Sequence, residues 1–260
     1  MAFVTGSSEI RAKNPLFSSI LANTMLSVVP GISGAGPSPE KTLLTPILDA
    51  ELITCGKITS MPVRPDTPTG CPTPASITRA VMELCGLSPL FINGGLVHTP
   101  TVPCLDTYGI PGEDPRFGDA VPDACALFRK GRSIGTFLGS VSDLLVLGEC
   151  VPGGTTTSLC VLRGLGYDAL VSSSYARNPV RMKEEVWSIV NRRIQEGLYR
   201  TPLDIVRCCG DPMIAIAAGI AATYSGSIIL GGGTQMLSVA AVLKGMNLPI
   251  PGIATTCYVR

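Results

Sequence analysis

Gly148-Glu149-Cys150-Val151-Pro152-Gly153-Gly154-Thr155-Thr156-Thr157-Ser158 is the stretch on which the fold turns. It follows Leu144-Leu145-Val146-Leu147, an apolar run that reads as a buried strand, and it precedes 159–166, a helix-like segment closed by glycine. Strand, glycine turn and helix in succession gather unpaired backbone N–H groups and the positive end of a helix dipole at one point. Two glycines let the backbone approach a ligand closely, and Thr155, Thr156 and Thr157 add hydroxyl donors. An anion, above all a phosphate, suits that point. The same stretch also suits a capped helix after a tight turn with no ligand. Neither a Gly-Lys-Ser/Thr ending nor a Gly-x-Gly-x-x-Gly fingerprint is present. Glu149 beside an anion site would repel phosphate unless it faced another part of the ligand, which suggests a second role for it.

The pattern recurs along the chain. Leu90-Phe91-Ile92 leads into Asn93-Gly94-Gly95, Ile228-Ile229-Leu230 runs into Gly231-Gly232-Gly233-Thr234-Gln235, and Asp168-Ala169-Leu170-Val171 reads as a strand ending in Ser172-Ser173-Ser174. Short apolar strands alternating with helices predict an α/β fold: a doubly wound, mainly parallel, Rossmann-like three-layer sheet covered on both faces. Ligands of such sheets gather beyond the carboxyl ends of the strands, where these glycine turns lie. Residues 1–27 are expected to form a smaller helical satellite, and 28–260 the α/β nucleotide-binding domain. Asn178-Pro179 starts an amphipathic layer helix with Met182, Val186, Ile189, Val190, Ile194 and Leu198 on one face.

Composition narrows the function classes. The 260 residues are 45% apolar and 15% charged, with a formal net charge of +1 and 5% aromatic residues. Neither an electrostatic footprint nor stacking platforms for nucleic acid are present. The ten cysteines form no Cys-x-x-Cys, and the single His98 cannot complete a Cys/His metal set, so neither a metal nor a cofactor is expected. The cysteines read as small buried hydrophobes of a reducing cytoplasm. Cys150 has an alternative as a thiol at a helix N-terminus, but no histidine lies near it to act as a base. Met1 is followed by a polar stretch with Glu9, Arg11 and Lys13 rather than an apolar signal core, in keeping with a cytoplasmic chain. The uncharged run 213–230 is long enough to suggest a membrane span, but turn chemistry at 223–227 splits it into a buried helix and a strand.

Two loop-forming stretches, 30–40 and 64–74, are long for a compact domain, and such loops are often functional. Taken in order, Pro30 to Glu40, Thr45-Pro46-Ile47-Leu48-Asp49-Ala50-Glu51, Pro72-Thr73-Pro74-Ala75-Ser76-Ile77-Thr78-Arg79, Gly148 to Ser158, Leu165-Gly166-Tyr167-Asp168, Ser172 to Ser174, Gly210-Asp211-Pro212 and Gly231 to Met236 resemble one family. It is the archaeal and cyanobacterial branch of nicotinate-nucleotide–dimethylbenzimidazole phosphoribosyltransferase, and the resemblance covers about residues 28 to 260.

That resemblance implies a glycosyltransferase of cobalamin biosynthesis. It would move phosphoribosyl from nicotinate mononucleotide to 5,6-dimethylbenzimidazole or a related base, giving α-ribazole phosphate, and would work as a homodimer. The bacterial counterpart of the threonine loop reads Gly-Glu-Met-Gly-Ile-Gly-Asn-Thr-Thr, so the resemblance assigns Glu149 a catalytic part. It gives phosphate and nucleotide binding to Gly153, Gly154, Thr155, Thr156 and Thr157, and to Gly232, Gly233, Thr234 and Gln235. Ser33, Gly34 and Gly36 would belong to a substrate-covering loop. One departure bears on this. Family members continue past the position of Thr255-Thr256 to a Glu-Gly-x-Gly-Ala segment whose glutamate is taken as the principal base, and that pattern does not occur in this chain. The departure favours two further readings, an inactive fragment or a non-catalytic nucleotide-binding or assembly protein that keeps the phosphate site.

Overall fold

The computed structural model describes residues 10–36, 38–66 and 70–256. Six parallel strands form one sheet: β1 (Pro15–Ala22), β2 (Pro89–Gly95), β3 (Cys104–Asp106), β4 (Leu144–Cys150), β5 (Ser227–Gly231) and β6 (Gly252–Ala254). Their order across the sheet is β3-β2-β1-β4-β5-β6. This is the doubly wound arrangement, in which the winding reverses between β1 and β4. The helices are α1 (Pro39–Thr42), α2 (Thr45–Cys55), α3 (Pro74–Cys85), α4 (Ala124–Val141), α5 (Gly154–Gly164), α6 (Val180–Glu196), α7 (Pro202–Cys209), α8 (Pro212–Thr223) and α9 (Thr234–Gly245). The α/β expectation holds, and the strands at 90–92, 144–147 and 228–230 lie where the apolar runs put them.

Three expectations are corrected. Residues 15–22, assigned to a helical satellite, form β1 in the middle of the sheet, pairing with β2 and β4. A central parallel strand is buried on both faces and so shows no alternation. Ile20 faces the larger core with Leu145, Leu147 and Leu230, while Leu21 faces a second core with Phe91, Ala50 and Ile53. Residues 168–171 form no strand, and Leu170 is 83% exposed. An apolar residue left on the surface has no second layer to hold it in a sheet. Third, Cys55, Cys71, Cys85 and Cys125 are exposed, so burial describes only part of the cysteines.

Helix starts follow local chemistry. Thr201 and Asp204 form a reciprocal capping box at α7, and the Asp211 side chain accepts from Ile214 N to cap α8. The uncharged run divides into α8 and β5 as its turn residues require, and among the described residues no helix is long and apolar enough to cross a membrane. Close packing fixes α8 against α4. A Cβ on Gly131 would lie 2.3 Å from the Ile216 carbonyl oxygen, and one on Gly219 would lie 2.2 Å from that of Phe128. Only backbone fits between these helices. α6 does carry Val186 and Val190 inward, but Leu198 beyond its end is 77% exposed and Lys183, which lies beside the expected stripe, is 2% exposed. With α8 and its neighbours under one sheet face and α2 and α3 under the other, the carboxyl ends of β1 and β4 stay open.

Candidate functional site

A cavity of about 670 Å³ opens at those strand ends, over the reversal between β1 and β4. Its floor is the turn from β4 into α5. Gly153 is the N-cap of α5 at φ +81°, a left-handed conformation that L side chains disfavour, and a Cβ there would meet Ser27 at 3.0 Å. Gly154 is packed so tightly that a Cβ would lie 2.2 Å from Gln235 Nε2. This turn starts α5 at Gly154, five residues before the expected Leu159, so the threonines form its first turn.

The three threonines part company there. Thr155 lines the cavity, and among the described residues no backbone acceptor is paired with its N–H. Thr156 and Thr157 are fully buried and do not line it. Thr157 Oγ1 donates to Asp211 Oδ2 at 2.6 Å, tying α5 to α8, and Thr156 Oγ1 is buried with no hydrogen-bond partner among the described residues. Helical spacing explains the split, because consecutive residues are rotated onto different faces.

Glu149 lines the cavity with its carboxylate held from two sides. Gln235 Nε2 donates to Oε2 at 2.6 Å and Val151 N donates to the same oxygen at 3.1 Å. Burial raises the Glu149 carboxyl to about 7, with the nearby Asp211 charge adding to the rise and the two donors opposing it. Burial likewise lifts Asp211 to about 6. Gln235 comes from the first turn of α9. Gly232, Gly233 and Thr234 do not line the cavity; they bring Gln235 into it, while Thr234 Oγ1 sits 3.2 Å from Ser172 Oγ.

The opposite wall is the 33–36 loop, where Ser33, Gly34 and Gly36 all line the cavity. Gly34 N donates to Ser174 Oγ at 2.9 Å, and Tyr175 Oη donates to the Ser33 carbonyl at 2.9 Å. Thr45 Oγ1 donates to the Ala35 carbonyl at 2.9 Å. The serine cluster therefore works as a brace for this loop. Lys183, buried beneath it, donates to the Ser172 carbonyl at 2.5 Å, and burial lowers its ammonium to about 8.

Lys41, Arg64 and Asp49 also line the cavity, and site reasoning from sequence missed all three. Arg64 lies in a loop that the sequence marks only by its prolines and threonines. Lys41 and Asp49 are brought in by α1 and α2, which no local pattern joins to the threonine turn. Cys150 donates its thiol to Asp49 Oδ2 at 3.5 Å. Burial and the neighbouring Asp49 and Glu149 charges push that thiol well above its usual range, which removes the reading as a reactive thiolate.

No protein-family model matches the chain. It is 39% identical to a UPF0284 protein of Methanosarcina acetivorans over a 275-residue alignment that covers all of this chain and 77% of that protein. It is 43% identical to a UPF0284 protein of Thermococcus gammatolerans over 250 residues, 94% of this chain and 75% of that one. Among solved structures it is similar to nicotinate-nucleotide–dimethylbenzimidazole phosphoribosyltransferase from Thermus thermophilus, with a TM-score of 0.67 and 17% identity over 90% of this chain. A second structure, CobT from the same organism, gives a TM-score of 0.68 at 17% identity over 91% of this chain. The chain spans 65% and 67% of those two structures.

Proposed function

The chain belongs to the UPF0284 family, and from its strand-end cleft and its likeness in fold to the two Thermus structures we propose that it transfers phosphoribosyl from nicotinate mononucleotide to a benzimidazole-type base. The observation that supports this reading is that a helix start with an unpaired Thr155 N–H shares one cavity with a buried carboxylate. The phosphate would sit on the free Thr155 N–H at the start of α5, where the glycine turn keeps side chains away and the helix dipole favours negative charge. Lys41 and Arg64 on the cavity wall would add countercharge.

The ribose would then extend toward Glu149. Nucleophilic attack at C1′ from the face opposite nicotinate inverts the β-nucleotide to an α-riboside, and the departing pyridine nitrogen takes the bond pair and loses its positive charge. Glu149, once ionised, would stabilise positive character on the ribose, the kind of preorganised charge that lowers a barrier most. Ser33 to Gly36 would cover the nucleotide from the far wall.

The test is turnover. Wild type is expected to release nicotinate only in the presence of a benzimidazole, with an α-riboside product. Glu149→Gln is expected to lower kcat by about 100-fold or more while nucleotide binding persists. Equal turnover by the variant would remove Glu149 from the chemistry. Nucleotide binding by wild type without any turnover would instead support a nucleotide-binding protein.

A further inference from the structure

Residues 58–66, between α2 and α3, supply Met61, Val63, Arg64 and Pro65 to the cavity wall. Apart from a bridge between Asp66 and Pro72, they belong to no helix or strand. Their anchor is a carboxylate outside the cavity. Glu51 of α2 is 2% exposed and does not line the space. Its Oε1 accepts from Thr59 N at 2.7 Å, from Ser60 N at 3.0 Å and from the Thr59 hydroxyl, while Oε2 accepts from the Ser60 hydroxyl at 2.5 Å. The Ser60 and Thr59 hydroxyls above all, helped by the two N–H groups, hold this carboxyl down at about 2 against the opposing effect of burial. A second tie lies beyond Arg64. Thr73 N donates to the Pro65 carbonyl at 2.8 Å, and the Thr73 hydroxyl donates to Asp49 Oδ1 at 3.3 Å. Both ties run back to α2.

Resting on the placement of a nucleotide phosphate in this cavity, we propose that Glu51 is a positioning residue: through Thr59 and Ser60 it fixes the backbone that presents Arg64 to that phosphate. Pro62 and Pro65 carry the constraint along the chain. Each fixes its own φ, and Pro65 also disfavours a helical turn at Arg64. Arg64 therefore stands between one anchor at Thr59 and Ser60 and another at the Pro65 carbonyl. An arginine on a free loop gives up backbone freedom at the moment it meets its anion, which subtracts from affinity. Here that freedom is given up on folding, so more of the charge-assisted contact appears as binding. Glu51 itself touches neither the phosphate nor the reacting atoms; it acts only through the segment that it holds.

The experiment is calorimetric titration with two probes, nicotinate mononucleotide and the nicotinate riboside that lacks its phosphate. Arg64→Ala is expected to weaken the nucleotide about 10-fold or more, as the loss of a charge-assisted contact would. Glu51→Ala is expected to weaken the nucleotide by a similar factor, to leave the riboside unchanged, and to add nothing when combined with Arg64→Ala. Glu51→Gln is expected to keep the wild-type affinity, because its carbonyl oxygen can still accept from both N–H groups. A merely structural role would weaken both probes alike and would add to the Arg64 effect. Should Glu51→Ala fail to fold, the paired change Thr59→Ala with Ser60→Ala, at two exposed positions, removes two of the four donors and leaves α2 intact. It is expected to give a smaller loss confined to the nucleotide. If these variants bind the nucleotide as wild type does while Arg64→Ala does not, the positioning role falls and the phosphate placement stands. If folded wild type binds no nucleotide, both fall.

Discussion

Replacing Glu149 by Gln is expected to stabilise the protein at pH 8 and leave it unchanged at pH 4. The Glu149 carboxyl is raised from 4.5 to about 7, first by burial and then by the Asp211 charge. Between those two pH values the folded state keeps a proton that the unfolded chain has released, so stability falls as pH rises through that window and stays reduced above it. Taken in full, the displacement corresponds to about 3 kcal/mol. Because the side chain borders the cavity and water reaches it, about 1–3 kcal/mol is the expected gain. A glutamine removes the ionisation, and its carbonyl oxygen still accepts from Val151 N. Both donors reach the same Glu149 oxygen, so a glutamine carbonyl placed there keeps the Gln235 Nε2 bond as well. Urea unfolding of both proteins across pH 4 to 8 reads the difference directly. A variant no more stable than wild type at pH 8, or one shifted equally at both ends, would refute the account of a buried carboxylate held against its own charge.

Gly153→Ala should lose about 1–2 kcal/mol, because the residue must hold φ +81° with its Cβ 3.0 Å from Ser27; the urea midpoint measures it. Gly131→Ala in the α4–α8 contact should lose about 1–3 kcal/mol or more, since the obstacle at 2.3 Å is a backbone carbonyl that cannot rotate away, and thermal melting reads the loss. Lys183 has its ammonium lowered from 10.5 to about 8 by burial. Wild-type stability should therefore gain a rising component between those pH values, where the folded state has lost a proton that the unfolded chain retains. Lys183→Met should lack that component in the same urea series.

Much of this fold could be read from short apolar runs that end in glycine. β2, β4 and β5 declare themselves that way, because a buried parallel strand needs both faces apolar and a turn needs φ freedom. β1 did not. Pro15 and the serines at 18 and 19 break its apolar run, and its central place becomes visible only once β2 and β4 pair with it on either side. The opposite error at 168–171 arose because apolar residues can cross a surface without joining a sheet, as exposed Leu170 does. The lining of the cavity was legible at the glycine turn, Glu149 and Gln235. It was not legible at Thr156 and Thr157, whose neighbours in sequence face the cavity while they face the core, nor at Asp49, which meets Cys150 across 101 residues of chain.

The central claim is that the turn from β4 into α5 holds the phosphate of a nucleotide. Calorimetric titration of nicotinate mononucleotide into the wild-type chain, repeated with Gly153→Asp, tests it most directly. The account predicts saturable binding by wild type that disappears in a variant still folded by circular dichroism, because a carboxylate would then stand at the anion site. Undiminished binding by that variant, or none by the folded wild type, would contradict it.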